Sequence, residues 1–373
     1  MSRVLLVDQR TSYPLQLCHA LGRQGHEVHG VAEAGAPLLR SRYCAVKIPT
    51  APWYDDRAYF DQLNRIAASG GYDVIYVCSE VLLEQLLRTV DAGGAWKALP
   101  FGGGPPVSLL FDKNAVIARV AAAGVPVPAN VVPASVGEVP EIGRALGFPL
   151  VVKGEKGSAA QNVRIVRHER DLIGAYRAVR DNERGYGGHP ALQAYVSGPT
   201  YLVGGVFHDG EPLRIAAYRK ALMYPAAGGA TVKGVSERPP RLIDNALAAF
   251  RALRFTGLGS LDFLRDERDG EFRFIEINPR PWATIGLALS CTDLLGAYHA
   301  LAAGVAVAPD LTYREGVRWH RLSGEMRLIA ERPSRLPGFI LDCLDPRVGS
   351  DLDTLLPARL GGLGRGFRTG RAA

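Results

Sequence analysis

No apolar run in these 373 residues is long enough to span a bilayer. Met1–Asp8 opens with an apolar stretch too short for a signal peptide and reads as a first β-strand. The five cysteines (Cys18, Cys44, Cys78, Cys291 and Cys343) are scattered, odd in number and without CxxC spacing. That excludes a disulfide framework and a zinc site and points to a reducing, cytoplasmic setting. A dinucleotide-binding turn is also missing: the first strand is followed by Asp8-Gln9-Arg10-Thr11-Ser12-Tyr13-Pro14, with no glycine. The triple glycine Gly102–Gly104 lacks a following Lys-Ser/Thr, so it is read as a linker and not as a P-loop. No internal repeat or low-complexity segment stands out. The net charge of +7 is concentrated late, with eleven Arg against seven acids in 311–373. Its last part, Arg359 to Arg371, is expected to be a solvated tail. Charge therefore gives no argument for a nucleic-acid partner.

The length calls for two or three domains. In 1–100, apolar strands at Val4–Val7, Val28–Val31 and Asp73–Cys78 alternate with helices at Tyr13–Arg23 and Glu80–Val90. That order predicts a parallel sheet with helices on its faces. Asp112 is placed to cap a helix running from Lys113 to Ala123, stopped by Gly124. Leu150–Lys153 is a short apolar strand ending in lysine, before the small and polar loop Gly154–Asn162. Further strands are expected at Val163–Val166, Leu192–Val196, Tyr201–Val206 and Leu213–Tyr218, with helices over Asp171–Arg180 and Leu242–Leu253.

The most informative stretch is Phe274-Ile-Glu-Ile-Asn-Pro-Arg280, read with Leu261-Asp262-Phe263. Strand alternation puts Glu276 and Asn278 on one face and Ile275 and Ile277 on the other. The polar segment Asp266–Gly270 between the runs predicts a hairpin. Pairing Arg265 with Glu271 would set Asp262 opposite Phe274, on the face of Glu276 and Asn278, with Arg280 at the rim. Three oxygen-bearing side chains of this kind suit Mg2+, which takes carboxylates, water and substrate phosphates.

These elements, in this order, resemble the ATP-grasp superfamily from about Leu110 to Gly304, nearest its carboxylate–amine ligase and carbamoyl-phosphate-synthetase-like branch. The region before it resembles the Rossmann-like (pre-ATP-grasp) domain that accompanies that fold. The expected architecture is therefore mixed α/β and α+β. It has an N-terminal parallel-sheet domain (1–108), a two-lobed ATP-grasp domain (109–310, lid lobe about 125–196) and a basic C-terminal region (311–373). By resemblance, Lys113 and Lys153 contact ATP phosphates, and the loop carrying Gly157 and Ser158 is the lid over the β- and γ-phosphates. Gln193, Tyr195 and Val196 belong to the hinge that pairs with adenine. Asp262, Glu276 and Asn278 match the ligands of Mg2+, for which Mn2+ could substitute. Arg280 matches the cation beside the transferring phosphoryl group. Ser197–Thr200 offers no acid for the ribose hydroxyls, a departure from the family pattern.

The chemistry fits these roles, because phosphoryl transfer is catalysed chiefly by positioned cations and metals. Arg219 is expected to grip a substrate carboxylate bidentately, with Lys220 on the opposite face of its strand. The activity implied is ATP-dependent ligation of a small carboxylic acid to an amine through an acyl phosphate. Alternatives left open are transfer to a carrier-protein thiol, bicarbonate as the acid, and a non-catalytic nucleotide sensor. Homodimer formation is open, and no membrane partner is expected.

Overall fold

The computed structural model describes residues 1–9, 11, 13–52, 57–89, 94–101, 107–154, 162–181, 190–225 and 229–351. The N-terminal unit runs β1 (Arg3–Val7), α1 (Pro14–Arg23), β2 (Glu27–Glu33), β3 (Cys44–Thr50), α2 (Arg57–Ser69), β4 (Val74–Val77) and α3 (Glu80–Thr89). Its four strands are parallel in the order β3-β2-β1-β4, so the chain reverses its winding direction at β1. Val4, Leu5, Leu6 and Val7 are all fully buried, as expected for a strand covered on both faces. The alternating pattern of 1–100 predicts this sheet but misses β3, whose Ala45–Lys47 stretch is exposed on an edge strand.

Two short helices, α4 (Val107–Phe111) and α5 (Lys113–Ala122), lead onward. Asp112 caps α5 as the sequence predicts, its Oδ1 accepting from the amides of Asn114 and Ala115 at 3.0 and 2.9 Å. A small lobe follows: β5 (Asn130–Val131), α6 (Val139–Leu146), β6 (Leu150–Lys153), β7 (Val163–Val166), α7 (Glu169–Asp181) and β8 (Ala191–Ala194). Its antiparallel sheet has the order β5-β8-β6-β7 and its own core of Val139, Leu150, Val152, Leu172 and Tyr176. The loop residues Gly157 and Ser158 lie outside the described residues.

The large lobe comprises β9 (Thr200–His208), β10 (Glu211–Tyr224), β11 (Ala230–Ser236), α8 (Pro240–Leu253), β12 (Gly257–Arg265), β13 (Phe272–Asn278), α9 (Ile285–Cys291) and α10 (Leu294–Ala302). It continues through β14 (Arg318–His320), α11 (Leu322–Glu331), α12 (Leu336–Leu344) and β15 (Val348–Ser350). Its seven-stranded sheet has the order β13-β12-β9-β10-β11-β14-β15. The large sheet therefore extends past residue 310: β14 pairs with β11, and Trp319 is 1% exposed within the core. The expected separate region from 311 is, through Ser350, the edge of this sheet. No single described helix is long and apolar enough to cross a membrane.

The two lobes meet at the hinge following β8. There Gly198 has φ +151°, and a Cβ built on it would lie 1.8 Å from the Arg265 carbonyl oxygen. Glycine supplies both the conformation and the space. The Arg265 amide donates to the Pro199 carbonyl at 3.0 Å, and the Glu267 amide to Ser197 at 2.9 Å. Gly198→Ala is expected to destabilise the protein by about 2 kcal/mol or more. Urea unfolding followed by circular dichroism would measure it, with a loss below the ordinary surface range contradicting the packing described.

Candidate active site

The β12–β13 hairpin is built from two apolar strands whose inward residues, Leu261, Phe263 and Phe274, are fully buried. Its register differs from the sequence expectation. Arg265 pairs with Phe272, Phe263 with Phe274, and Asp262 with Glu276, with an irregularity between Asp262 and Phe263. The pairing begins one residue off the expected register at the turn and the irregularity adds one more, so Asp262 lies opposite Glu276 and not Phe274. The two carboxylates are thus brought closer than simple alternation predicts.

Cations surround the pair. Lys153, at the end of β6, is 6% exposed, and its Nζ lies 3.6 Å from Glu276 Oε2 and 3.2 Å from the Ile275 carbonyl oxygen. This joins the small lobe to the large one through a buried charge. Lys220 on β10 reaches across β9, its Nζ donating to Asp262 Oδ2 at 2.9 Å. Arg280 donates from Nη2 to Asn278 Oδ1 at 3.2 Å and from Nη1 to the Pro281 carbonyl at 2.9 Å. Lys113, at the first position of α5, acts electrostatically on Lys153 and Glu276.

Burial alone would raise the pKa of Glu276, but Lys153, Lys113, Lys220 and Arg280 outweigh it and hold the carboxyl at about 2. Asp262 is shifted upward by burial and by Glu276, against the pull of Lys220 and Lys153. Burial lowers Lys153, opposed by Glu276. One carboxylate is thus firmly ionised while its neighbour lacks full compensation. Asp262 Oδ1 is buried and has no hydrogen-bond partner among the described residues. A buried anionic oxygen without a donor is costly. An Mg2+ ion would satisfy it, so Asp262, Glu276 and Asn278 fit the hard cation that the sequence predicts.

The expected role of Arg219 is not supported. Its Nε donates to Glu237 Oε1 at 2.8 Å, and strand alternation turns it away from the face carrying Lys220. Lys220, not Arg219, joins the carboxylates. Tyr218 shares the face of Lys220 and is fully buried, its hydroxyl in contact with Thr284 in the segment after Arg280. Gln193 is buried on β8, its side chain donating to Asn130 Oδ1 at 3.2 Å. Val196 is buried and Tyr195 half-buried just beyond the strand. The hinge also acquires an acid that its own segment lacks, since Ser197 Oγ donates to Glu267 Oε2 at 2.6 Å. Long-range pairing of the β12–β13 turn, invisible in linear sequence, supplies it.

Loss of either carboxylate should weaken metal binding independently of turnover. Asp262→Asn and Glu276→Gln are each expected to lower Mn2+ affinity, read by electron paramagnetic resonance with ATP present, by about tenfold or more. Arg219→Ala should leave it unchanged. Equal loss in Arg219→Ala would overturn the assignment of faces.

Residues 110–284 match the family model described as the ATP-grasp domain. The chain is 27% identical over 267 residues to biotin carboxylase of Allochromatium vinosum, covering 63% of this chain and 55% of that protein. It thus spans about half the length of that curated relative. Among solved structures it resembles the biotin carboxylase–beta-gamma-ATP complex of Campylobacter jejuni, with a TM-score of 0.69 and 20% identity over 85% of this chain and 74% of that one. It also resembles N5-carboxyaminoimidazole synthetase of Staphylococcus aureus, with a TM-score of 0.62 and 14% identity over 85% and 80% of the two chains. These structural likenesses concern the fold. The lysine-bridged lobes and the paired carboxylates lie within or beside the matched segment, so residues 110–284 are similar to the ATP-grasp domain.

Proposed function

We propose that this protein is an ATP-dependent ligase that activates a carboxylate as its acyl phosphate and transfers the acyl group to a nitrogen nucleophile. Bicarbonate is the acid the comparisons favour, since the names of the similar proteins describe carboxylation. That replaces the amide-forming reading of an organic acid as the leading one. The observation that carries the proposal is the convergence of Lys153 and Lys220 on the Asp262–Glu276 pair, with Arg280 held beside it at Asn278.

In this reading Lys113 and Lys153 hold the triphosphate, while Lys153 ties the small lobe to Glu276. Mg2+, when bound by Asp262, Glu276 and Asn278, neutralises phosphate charge. A carboxylate oxygen forms a bond to the γ-phosphorus, and the bond from that phosphorus to the ADP oxygen breaks, ADP taking the electron pair. The nitrogen then bonds to the acyl carbon, the carbon–oxygen bond to phosphate breaks, and the nitrogen loses its proton. Arg280 stabilises the charge on the phosphoryl oxygens. Lys220 supplies a second cation on the same face, which compensates the carboxylates before substrates arrive. Arg219 takes no part in this scheme.

ADP formation should be measured with Mg2+, bicarbonate, a panel of organic acids and a panel of amines. Bicarbonate-dependent ADP release that falls about 100-fold or more in Lys153→Met supports the proposal. Turnover with one organic acid but not bicarbonate, trapped as a hydroxamate with hydroxylamine, would establish the amide-forming reading instead. Tight ATP binding with no turnover under any combination would favour a nucleotide sensor.

A further inference from the structure

The side of this centre that faces the N-terminal sheet carries a charge that the roles above leave unused. In an open parallel sheet, the crevice beyond the carboxyl ends of the strands opens where the winding direction reverses. Here that point lies between β1 and β4. Glu80, the first residue of α3, lies three residues past the end of β4 and has a side chain only 19% exposed. Its Oε2 lies 3.4 Å from Arg280 Nη2. The ring of Tyr13 covers the same guanidinium, 5.6 Å from Arg280 Cζ, and the Tyr13 hydroxyl donates to the Cys78 carbonyl. Asn278, Pro281 and Glu80 thus engage the two terminal nitrogens, whereas Nε is buried with no hydrogen-bond partner among the described residues.

A guanidinium is a rigid plane, so contacts at its terminal nitrogens also fix the direction of its Nε–H. A buried arginine also needs a counter-charge. Glu80, Glu276 and the buried Asp8 are carboxylates acting on Arg280; Glu276 sits in the metal group, and Glu80 makes the ion pair with the guanidinium. Glu80 therefore holds the charge from the opposite side.

We infer that Glu80 is a positioning residue: by pairing with Arg280 Nη2 it keeps the unpartnered Nε–H available to an oxyanion at the reaction centre. The inference rests on the proposed role of Arg280 in phosphoryl transfer, and it makes the N-terminal domain part of the reaction centre. The sequence signal was an acid at the start of the helix that follows a parallel strand, but its partner lies 200 residues away in the chain.

Two readouts on the full-length protein test it. The first needs no turnover: phenylglyoxal modification of Arg280, followed by peptide mass spectrometry, should be slow in the parent and several-fold faster in Glu80→Ala. Glu80→Gln, which keeps the shape and a polar contact, should be intermediate, and it serves if the alanine variant fails to fold. An unchanged rate in both variants would overturn the inference. The second is a double-mutant cycle on ADP formation. Glu80→Ala should lower kcat about tenfold or more with little change in KM for ATP. In an Arg280→Ala background it should cost nothing further, whereas additive losses would contradict positioning through Arg280. If the parent turns over no acid, the proposed function falls, while the modification rates still decide the role of Glu80.

Discussion

The buried attraction between Lys153 and Glu276 is the constraint on which the rest of this molecule depends. It is the point where the small antiparallel lobe meets the seven-stranded sheet through charge instead of apolar packing. Glu276 cannot be surrounded by cations without a second acid to balance them, and Asp262 sits directly across the hairpin. Asp262 in turn draws Lys220 from two strands away. The result is an alternating set of charges that is only partly satisfied on its own, since Asp262 Oδ1 has no hydrogen-bond partner among the described residues. Desolvation makes each charge costly to leave unpaired and strong once paired. A site assembled this way favours ligands that bring both signs together, as metal-bound ATP does.

The scaffold explains how these charges come from such separate parts of the chain. Lys153 ends a strand of one sheet, Lys220, Asp262 and Glu276 lie on three strands of another, and Glu80 follows the last strand of a third. The apolar cores of the N-terminal unit and the large lobe are continuous: Leu5, Ile75, Phe207 and Phe263 belong to one cluster. That continuity fixes the crevice holding Arg280 and Glu80, whereas the small lobe keeps its own core and meets the site across the hinge.

Much of this was legible in the sequence because it depends on local pattern. The Phe274–Arg280 run fixes a strand face by alternation alone, and Asp112 is a cap whose partners lie two and three residues ahead. Lys153 at the end of an apolar strand could be read without knowing its partner. What could not be read depends on pairing over distance. The irregularity beside Asp262 changes which residue faces Glu276. The phase of β10 decides between Arg219 and Lys220, and only the position of Asp262 reveals the choice. β14 and β15 complete the sheet although short, polar-flanked segments carry little periodic signal. Glu267 reaches the hinge only because the β12–β13 turn folds back on Ser197.

The central claim is that this charge cluster transfers the γ-phosphoryl group of ATP to a carboxylate oxygen. The most direct measurement is the fate of oxygen-18 supplied in bicarbonate, or in whichever acid supports turnover, with the released phosphate analysed by mass spectrometry. The account predicts one labelled oxygen in each phosphate formed, because the bridging oxygen of an acyl phosphate leaves with phosphorus. Unlabelled phosphate from labelled acid, with label entering only from solvent water, would show simple hydrolysis and contradict it.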